Sequence, residues 1–325
     1  MRVVFASLAA PGHAYPLVPL AVAARRAGHD VHFAVGEEVH AALRGAGITV
    51  LRPGDCFYEM YADDLQPELE RLRADLVVHE WGLPGAAIAA LRAGIPSLWH
   101  GFGRMYPDGI GLELPLAVAE RPHLDICPAS LQEPAFLAAA ERIPLRPVAF
   151  SPPGERVRAE GPFVYVTLGT AFGTVEVLRA AVTGVAALGM RVVVAAGQVP
   201  PARLGPLPRN VAVYGWVAQA DVLPRATFVV HHGGSGTTLG ALAAGVPQLI
   251  LPQGADHFGN AAAVVAAGAG LSAGAGAGAD AIEDLAWRLL PGRGEDFRSG
   301  ARAIAAEIAR MPPPEDVVRD VFADR

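Results

Sequence analysis

The chain has 325 residues, 52% of them hydrophobic and 18% charged, with a formal net charge of −6 at pH 7. That length allows two domains with separate cores, and the acidic balance argues against nucleic acid or an anionic membrane as partner. Cys56 and Cys127 are too few for a disulfide framework and lack metal-ligand spacing, so a reducing, cytoplasmic setting is expected. No apolar run approaches the roughly 20 residues of a spanning helix. The chain contains no lysine, which excludes a Walker-type phosphate loop and lysine Schiff-base chemistry. It also lacks a G-x-G-x-x-G after a strand, the dinucleotide fingerprint.

The first apolar run, residues 3–10, could imitate the core of a secretory leader, but the single Arg before it and Pro11-Gly12-His13 after it fit a first strand, at 3–7, better. Further strands are predicted at 31–35, 76–79 and 97–99, then at 163–167, 191–195, 211–214, 228–230 and 248–251. A recurring join connects them, in which a helical segment ends at glycine and an apolar strand starts within a few residues. It occurs at Gly28, Gly47, Gly94, Gly189 and Gly245. Glycine just past a helix takes the left-handed cap conformation, and repeated strand–helix alternation predicts an α/β, doubly wound architecture. The Pro- and Gly-rich stretch 151–160 reads as a linker, with one domain at 1–150 and a second at 161–311. Asp280 and Glu283 predict a capping box. Pro312-Pro313-Pro314 must stop the preceding helix, leaving a short final helix within 312–325.

The richest segment begins at the apolar run 228–230, which breaks into His231-His232-Gly233-Gly234-Ser235-Gly236-Thr237-Thr238 and opens a helix ending at Gly245. Strand, glycine-rich turn and helix start together put unpaired backbone N–H groups and a positive dipole end at one point, which suits a diphosphate. The bland alternative is a glycine turn that merely lets helix and strand pack.

This segment resembles the donor-binding signature of nucleotide-sugar glycosyltransferases, in particular bacterial enzymes that glycosylate antibiotics and other natural products. The related plant pattern runs from Trp-x-x-Gln through His-Cys-Gly-Trp-Asn-Ser and Gly-Val-Pro to Asp-Gln. Here it becomes Trp216 to Gln219, His232 to Thr237, Gly245-Val246-Pro247 and Asp256-His257. Pro11-Gly12-His13, the loop Thr167-Leu168-Gly169-Thr170 and the link from Arg146 to Gly154 are similar too. The resemblance implies the GT-B fold, two Rossmann-like doubly wound parallel-sheet domains facing across a cleft, with the terminal helix returning to the first domain.

It also implies roles. His13 would be the general base and Glu80, where the family usually has Asp, the group that orients it. His232, with the backbone of Gly234, Ser235, Gly236 and Thr237, would hold the donor diphosphate, joined by Thr170. Trp216 and Val217 would receive the base, with Gln219 completing that motif. Asp256 and His257, the latter in place of Gln, would read sugar hydroxyls, and Asn260 would support their loop. Where the plant pattern has a ribose-gripping Glu, eight residues after His232, this chain has Gly240, which predicts a dTDP-sugar rather than a UDP-sugar. Phe57, Tyr58, Tyr61, Phe102, Met105 and Tyr106 are candidates to line the acceptor pocket, where the chain looks shorter than its relatives, near 55–67 and 101–115.

The expected function is inverting, metal-independent transfer of a sugar to a hydroxyl of a small, largely apolar aglycone. No cofactor is expected beyond the nucleotide-sugar co-substrate, and no Asp-x-Asp motif is present. Alternatives are a UDP-sugar enzyme of the same fold, such as a hydrolysing epimerase, and a non-catalytic partner protein. A homodimer is compatible with the sequence.

Overall fold

Short apolar runs, several of them rich in valine and several entered from a glycine-capped helix, form strands that hydrogen-bond in parallel and are covered on both faces. A computed structural model describes residues 1–51, 58–106, 114–157, 161–170, 173–274 and 276–322, with backbone alone for 58–60. The chain divides into two units, Met1–Phe150 together with the segment from Arg310, and Ser151–Ala309.

In the first unit the elements run β1 (Arg2–Ala6), α1 (Pro11–Ala14), α2 (Val18–Arg26), β2 (Asp30–Ala34), α3 (His40–Gly45), β3 (Thr49–Leu51) and α4 (Tyr58–Leu72). They continue with β4 (Leu76–Glu80), α5 (Pro84–Arg92), β5 (Ser97–His100), α6 (Leu116–Ala119), β6 (His123–Asp125), α7 (Pro134–Ala139) and β7 (Arg142–Pro144). The sheet order is β3-β2-β1-β4-β5-β6-β7, every pairing parallel. Strand order reverses between β1 and β4, so the loops leaving those two strands diverge there, the usual ligand position in open α/β sheets.

The second unit comprises β8 (Phe163–Thr167), α8 (Val175–Ala187), β9 (Arg191–Ala195), β10 (Val211–Tyr214), α9 (Gln219–Val222), β11 (Ala226–His231) and α10 (Ser235–Ala243). After these come β12 (Gln248–Ile250), α11 (His257–Ala266), β13 (Gly270–Ser272), α12 (Ala279–Trp287) and α13 (Glu295–Arg310). Its sheet, β10-β9-β8-β11-β12-β13, is also parallel and reverses between β8 and β11. The last helix, α14 (Pro314–Phe322), belongs with the first unit. There Phe322 is fully buried, 5.8 Å from the ring of His29. The backbone N–H of Arg146 donates to Pro312 O at 2.8 Å.

All five glycine joins occur as expected, with φ between +66° and +90° at Gly28, Gly47, Gly94, Gly189 and Gly245. Three strands went unanticipated: β6, β7 and β13, whereas β3 is the strand that the Gly47 join announced. Each of the three has three residues, too few for a periodic signal, and none follows one of the five joins. The capping box at Asp280 does not form. Gly278 is the N-cap and Asp280 lies inside the first turn of α12, because Gly184 of α8 packs directly on the Ala279 carbonyl and fixes where that helix starts. Among the described residues, no helix is long and apolar enough to cross a membrane.

Candidate active site

His13 lies on the one-turn helix α1, just beyond β1, and Glu80 is the last residue of the adjacent β4. Parallel pairing, with Ala6 opposite His79, brings the two strand ends together. The His13 Nδ1 is 2.8 Å from Glu80 Oε1. The carboxyl is fully buried, whereas the His13 side chain is 35% exposed. A carboxylate only accepts hydrogen bonds, so Nδ1 carries the proton and the lone pair falls on Nε2. The backbone N–H of Gly82 also donates to Oε1, at 2.9 Å, and a Cβ at Gly82 would come within 2.8 Å of that oxygen. The extra methylene of Glu, relative to the Asp usual in the resembled family, spans the gap.

An aromatic cluster adjoins this pair. Phe102 lies 5.7 Å from the His13 ring and 5.7 Å from Trp81, and Trp81 stacks on Tyr106 at 5.5 Å. Met105 is buried in the core, and its N–H donates to Gln132 Oε1 at 2.8 Å. Gln132 in turn donates to the buried Asp125, which also accepts from Cys127 N–H and Arg142. Burial pushes the Asp125 carboxyl up, against the opposing pull of these donors. The network anchors the segment that carries Phe102 and Tyr106. Tyr61 does not line a surface. It is fully buried, with its hydroxyl donating to Ala34 O at 3.1 Å, because its ring fills the core between α4 and the sheet. Phe57 and the side chain of Tyr58 lie outside the described residues. Trp81 was missed, although its place directly after Glu80 is visible in the sequence. Asp125 and Gln132 had no such signal, since only sheet adjacency joins them to Met105.

In the second unit, β11 ends in His231 and α10 begins at Ser235. His231 is structural. It accepts from Gly233 N–H through Nδ1 at 3.1 Å and meets Gln248 Oε1 through Nε2 at 2.7 Å. Its pKa is lowered to about 4, chiefly by burial. The His232 ring packs against Gly169 and Gly234, either of whose Cβ would overlap it. Its Nδ1 is buried without a protein partner. Burial, followed by the neighbouring His231 and His257, holds its pKa well below 6.5. It is therefore a neutral imidazole, able to donate one hydrogen bond.

The Ser235 N–H is not free for a diphosphate, contrary to expectation. It donates to Asp256 Oδ2 at 3.2 Å, and the Ser235 hydroxyl donates to the same oxygen at 2.7 Å. Asn260 Nδ2 joins them at 2.8 Å and also reaches Gly233 O at 2.8 Å. The short serine brings the Asp256 carboxylate onto the positive end of the helix. Gly236 and Thr237 keep first-turn N–H groups with no intrahelical acceptor. The Thr237 hydroxyl pairs with the Gln219 amide at 3.2 Å. Thr170 follows Gly169, which has φ +71°. The Val217 side chain is core. Trp216 keeps a buried, unpartnered indole N–H, while its carbonyl accepts from Glu155 N–H at 2.9 Å. Gly240 is on α10, where a Cβ would sit 3.1 Å from Leu223.

Gly234 has φ −61° and ψ 141°, which alanine tolerates, so Gly234→Ala tests the His232 ring rather than the backbone. Displacing the ring should cost one hydrogen bond to a charged ligand, about 1.5–3 kcal/mol. Titration calorimetry should then show nucleoside-diphosphate binding weakened by about 10- to 100-fold.

The two units are thus doubly wound parallel sheets, one bearing a carboxylate-backed imidazole and the other a glycine-rich helix start. Residues 179–323 match the family model for the erythromycin biosynthesis protein CIII-like C-terminal domain. The chain is 33% identical to the L-demethylnoviosyl transferase of Streptomyces niveus, over 100% of this chain and 98% of that protein. It is 32% identical to the elloramycin glycosyltransferase ElmGT of Streptomyces olivaceus, over 98% and 96%. The solved structure of the spinosyn rhamnosyltransferase SpnG complexed with thymidine diphosphate is similar, with a TM-score of 0.82, 26% identity and coverage of 99% of this chain and 100% of that one. The chain belongs to the antibiotic-biosynthesis glycosyltransferases of the GT-B fold.

Proposed function

We propose that this enzyme moves a deoxysugar from a dTDP-sugar to a hydroxyl of a small, largely apolar natural-product aglycone, inverting the anomeric centre without a metal ion. The observation that carries this reading is the 2.8 Å contact between His13 and the buried Glu80. In the proposed step His13 Nε2 takes the acceptor hydroxyl proton, and the oxygen forms a bond to the anomeric carbon. The bond from that carbon to the diphosphate oxygen breaks on the opposite face, and the electron pair leaves with the nucleotide. Glu80 stabilises the resulting imidazolium. Charge gathering on the leaving diphosphate meets the His232 ring and the N–H groups of Gly236 and Thr237 at the dipole end of α10. Asp256, one oxygen held by Ser235 and Asn260, presents the other to a sugar hydroxyl.

The aromatic rings of Trp81, Phe102 and Tyr106 next to His13 favour a flat or apolar acceptor. Gly240 supports dTDP over UDP, since no carboxylate there grips a ribose 2′-hydroxyl. The thymidine diphosphate complex of the spinosyn rhamnosyltransferase points the same way. A UDP-sugar donor is the second reading, because Gly240 also packs near Leu223.

Side-by-side calorimetric titration with dTDP and UDP tests the donor. The dTDP complex should be at least severalfold tighter, and Gly240→Glu should narrow the difference. Tighter UDP binding by the native protein would establish the second reading.

A further inference from the structure

The loop between β12 and α11 contains an unusual backbone. Ala255, directly before Asp256, has φ +48°, a left-handed conformation that a residue with a Cβ rarely adopts. Something must hold the turn there. The backbone N–H groups of Gln253 and Gly254, at two successive residues, both point at His257 Nδ1, each at 3.2 Å. The His257 N–H closes the same turn by donating to Gly254 O at 3.1 Å. The ring is 2% exposed and stands edge-on to His232, with centroids 4.7 Å apart. An imidazole nitrogen that accepts two N–H groups carries no proton, so the hydrogen is on Nε2, 3.8 Å from Asp256 Oδ1.

We infer that His257 is a positioning residue for Asp256: its unprotonated Nδ1 gathers the Gln253 and Gly254 N–H groups, fixes the turn through Ala255, and so sets where the Asp256 carboxylate meets the donor sugar. This rests on the donor-site reading of Asp256 above. It differs from the role implied by the Asp-Gln pattern, in which the second residue itself reads the sugar. Burial lowers the His257 pKa, against the opposing effect of Asp256, which keeps the lone pair available at neutral pH.

Bond counting supplies the discriminating variants. In asparagine the amide oxygen stands the same number of bonds from Cβ as Nδ1 does, whereas in glutamine the amide group stands where Nε2 does. His257→Asn therefore keeps the acceptor for the turn and loses the outer nitrogen. His257→Gln does the reverse, and restores the residue of the related pattern. The readout is the ratio of affinities for dTDP-glucose and dTDP, which isolates the sugar's contribution from the nucleotide's, with UDP-glucose and UDP run in parallel. The expected result is a ratio within about threefold of the native value for His257→Asn and reduced about tenfold or more for His257→Gln. Any other pattern, including loss in both or retention in both, overturns the assignment.

Long-range proton–nitrogen spectroscopy of the native protein, without ligand, gives an independent decision. His257 should show a protonated Nε2 and an unprotonated Nδ1 at pH 7.5, and the opposite tautomer also overturns it. If neither nucleotide sugar binds the native chain, the donor reading is what fails, and the spectrum still decides the role of the ring.

Discussion

Replacing His13 by alanine should lower kcat for sugar transfer by about two to four powers of ten, the range for removing a positioned general base. Affinity for the nucleotide should stay within about twofold, since the nucleotide-binding residues proposed here are all in the second unit. Glu80→Gln should cost less. Its amide oxygen can still accept from Nδ1, so the tautomer is kept, but the imidazolium that forms in the reaction loses its counter-charge. A hydrogen bond to a charged group contributes about 1.5–3 kcal/mol, so kcat should fall about 10- to 100-fold. Glu80→Asp keeps the charge but withdraws the carboxylate by one methylene, opening the 2.8 Å contact and freeing Gly82 N–H from its acceptor. It should therefore do no better than glutamine. Steady-state kinetics on the three variants, with dTDP titrations as the control, check this order. Unchanged transfer by His13→Ala would remove the base assignment.

The second large effect is on stability in acid. Burial lowers the pKa of His79 to about 3 and those of His100, His123 and His231 to about 4. His232 is also shifted down, mainly by burial. These rings are neutral in the native protein, whereas in an unfolded chain they titrate near 6.5. Above that pH both states are neutral and these groups add no pH dependence. Below it the unfolded chain binds protons that the native fold refuses, so stability falls with falling pH until the native rings titrate near 4. Each such histidine contributes about 1.4 kcal/mol per pH unit. The three in the first unit together give a loss on the order of 4 kcal/mol per unit. Set against a typical domain stability of about 5–15 kcal/mol, the first unit should unfold between about pH 5.5 and 4. Circular dichroism melts from pH 7.5 downward should show a flat region above 6.5 and a steep fall beneath it. His100→Asn or His123→Asn, where folded, should flatten that fall by about one proton. A melting temperature constant to pH 4.5 would mean that these rings are accessible to protons in the native state.

Much of the architecture was legible because it rests on short-range chemistry. Glycine after a helix predicts a left-handed cap wherever the next residues are apolar, and five such caps located β2, β3, β5, β9 and β12. The His232–Thr237 turn was readable because strand, glycines and helix start are contiguous in the chain. Of the three-residue strands, β3 and β12 were announced by the Gly47 and Gly245 joins, but β6, β7 and β13 were not readable, because nothing in three residues has a period and none of the five joins precedes them. Nor was the true start of α12, which depends on how closely Gly184 lets another helix approach.

The site divides along the same line. Sequence by itself determined the residue types available for chemistry: an imidazole after the first strand, a carboxylate at the end of another, and a glycine-rich helix start without lysine. These are local facts of order and composition. Only the tertiary structure decided which groups meet. Parallel pairing of β1 with β4 joins His13 to Glu80 across 67 positions of chain. A carboxylate 21 positions away takes the Ser235 N–H, and sheet adjacency ties Asp125 to the aromatic segment beside His13. Hydrogen bonds at such separations depend on where strands lie in the sheet, and strand order is set by packing the whole chain rather than by any stretch of it.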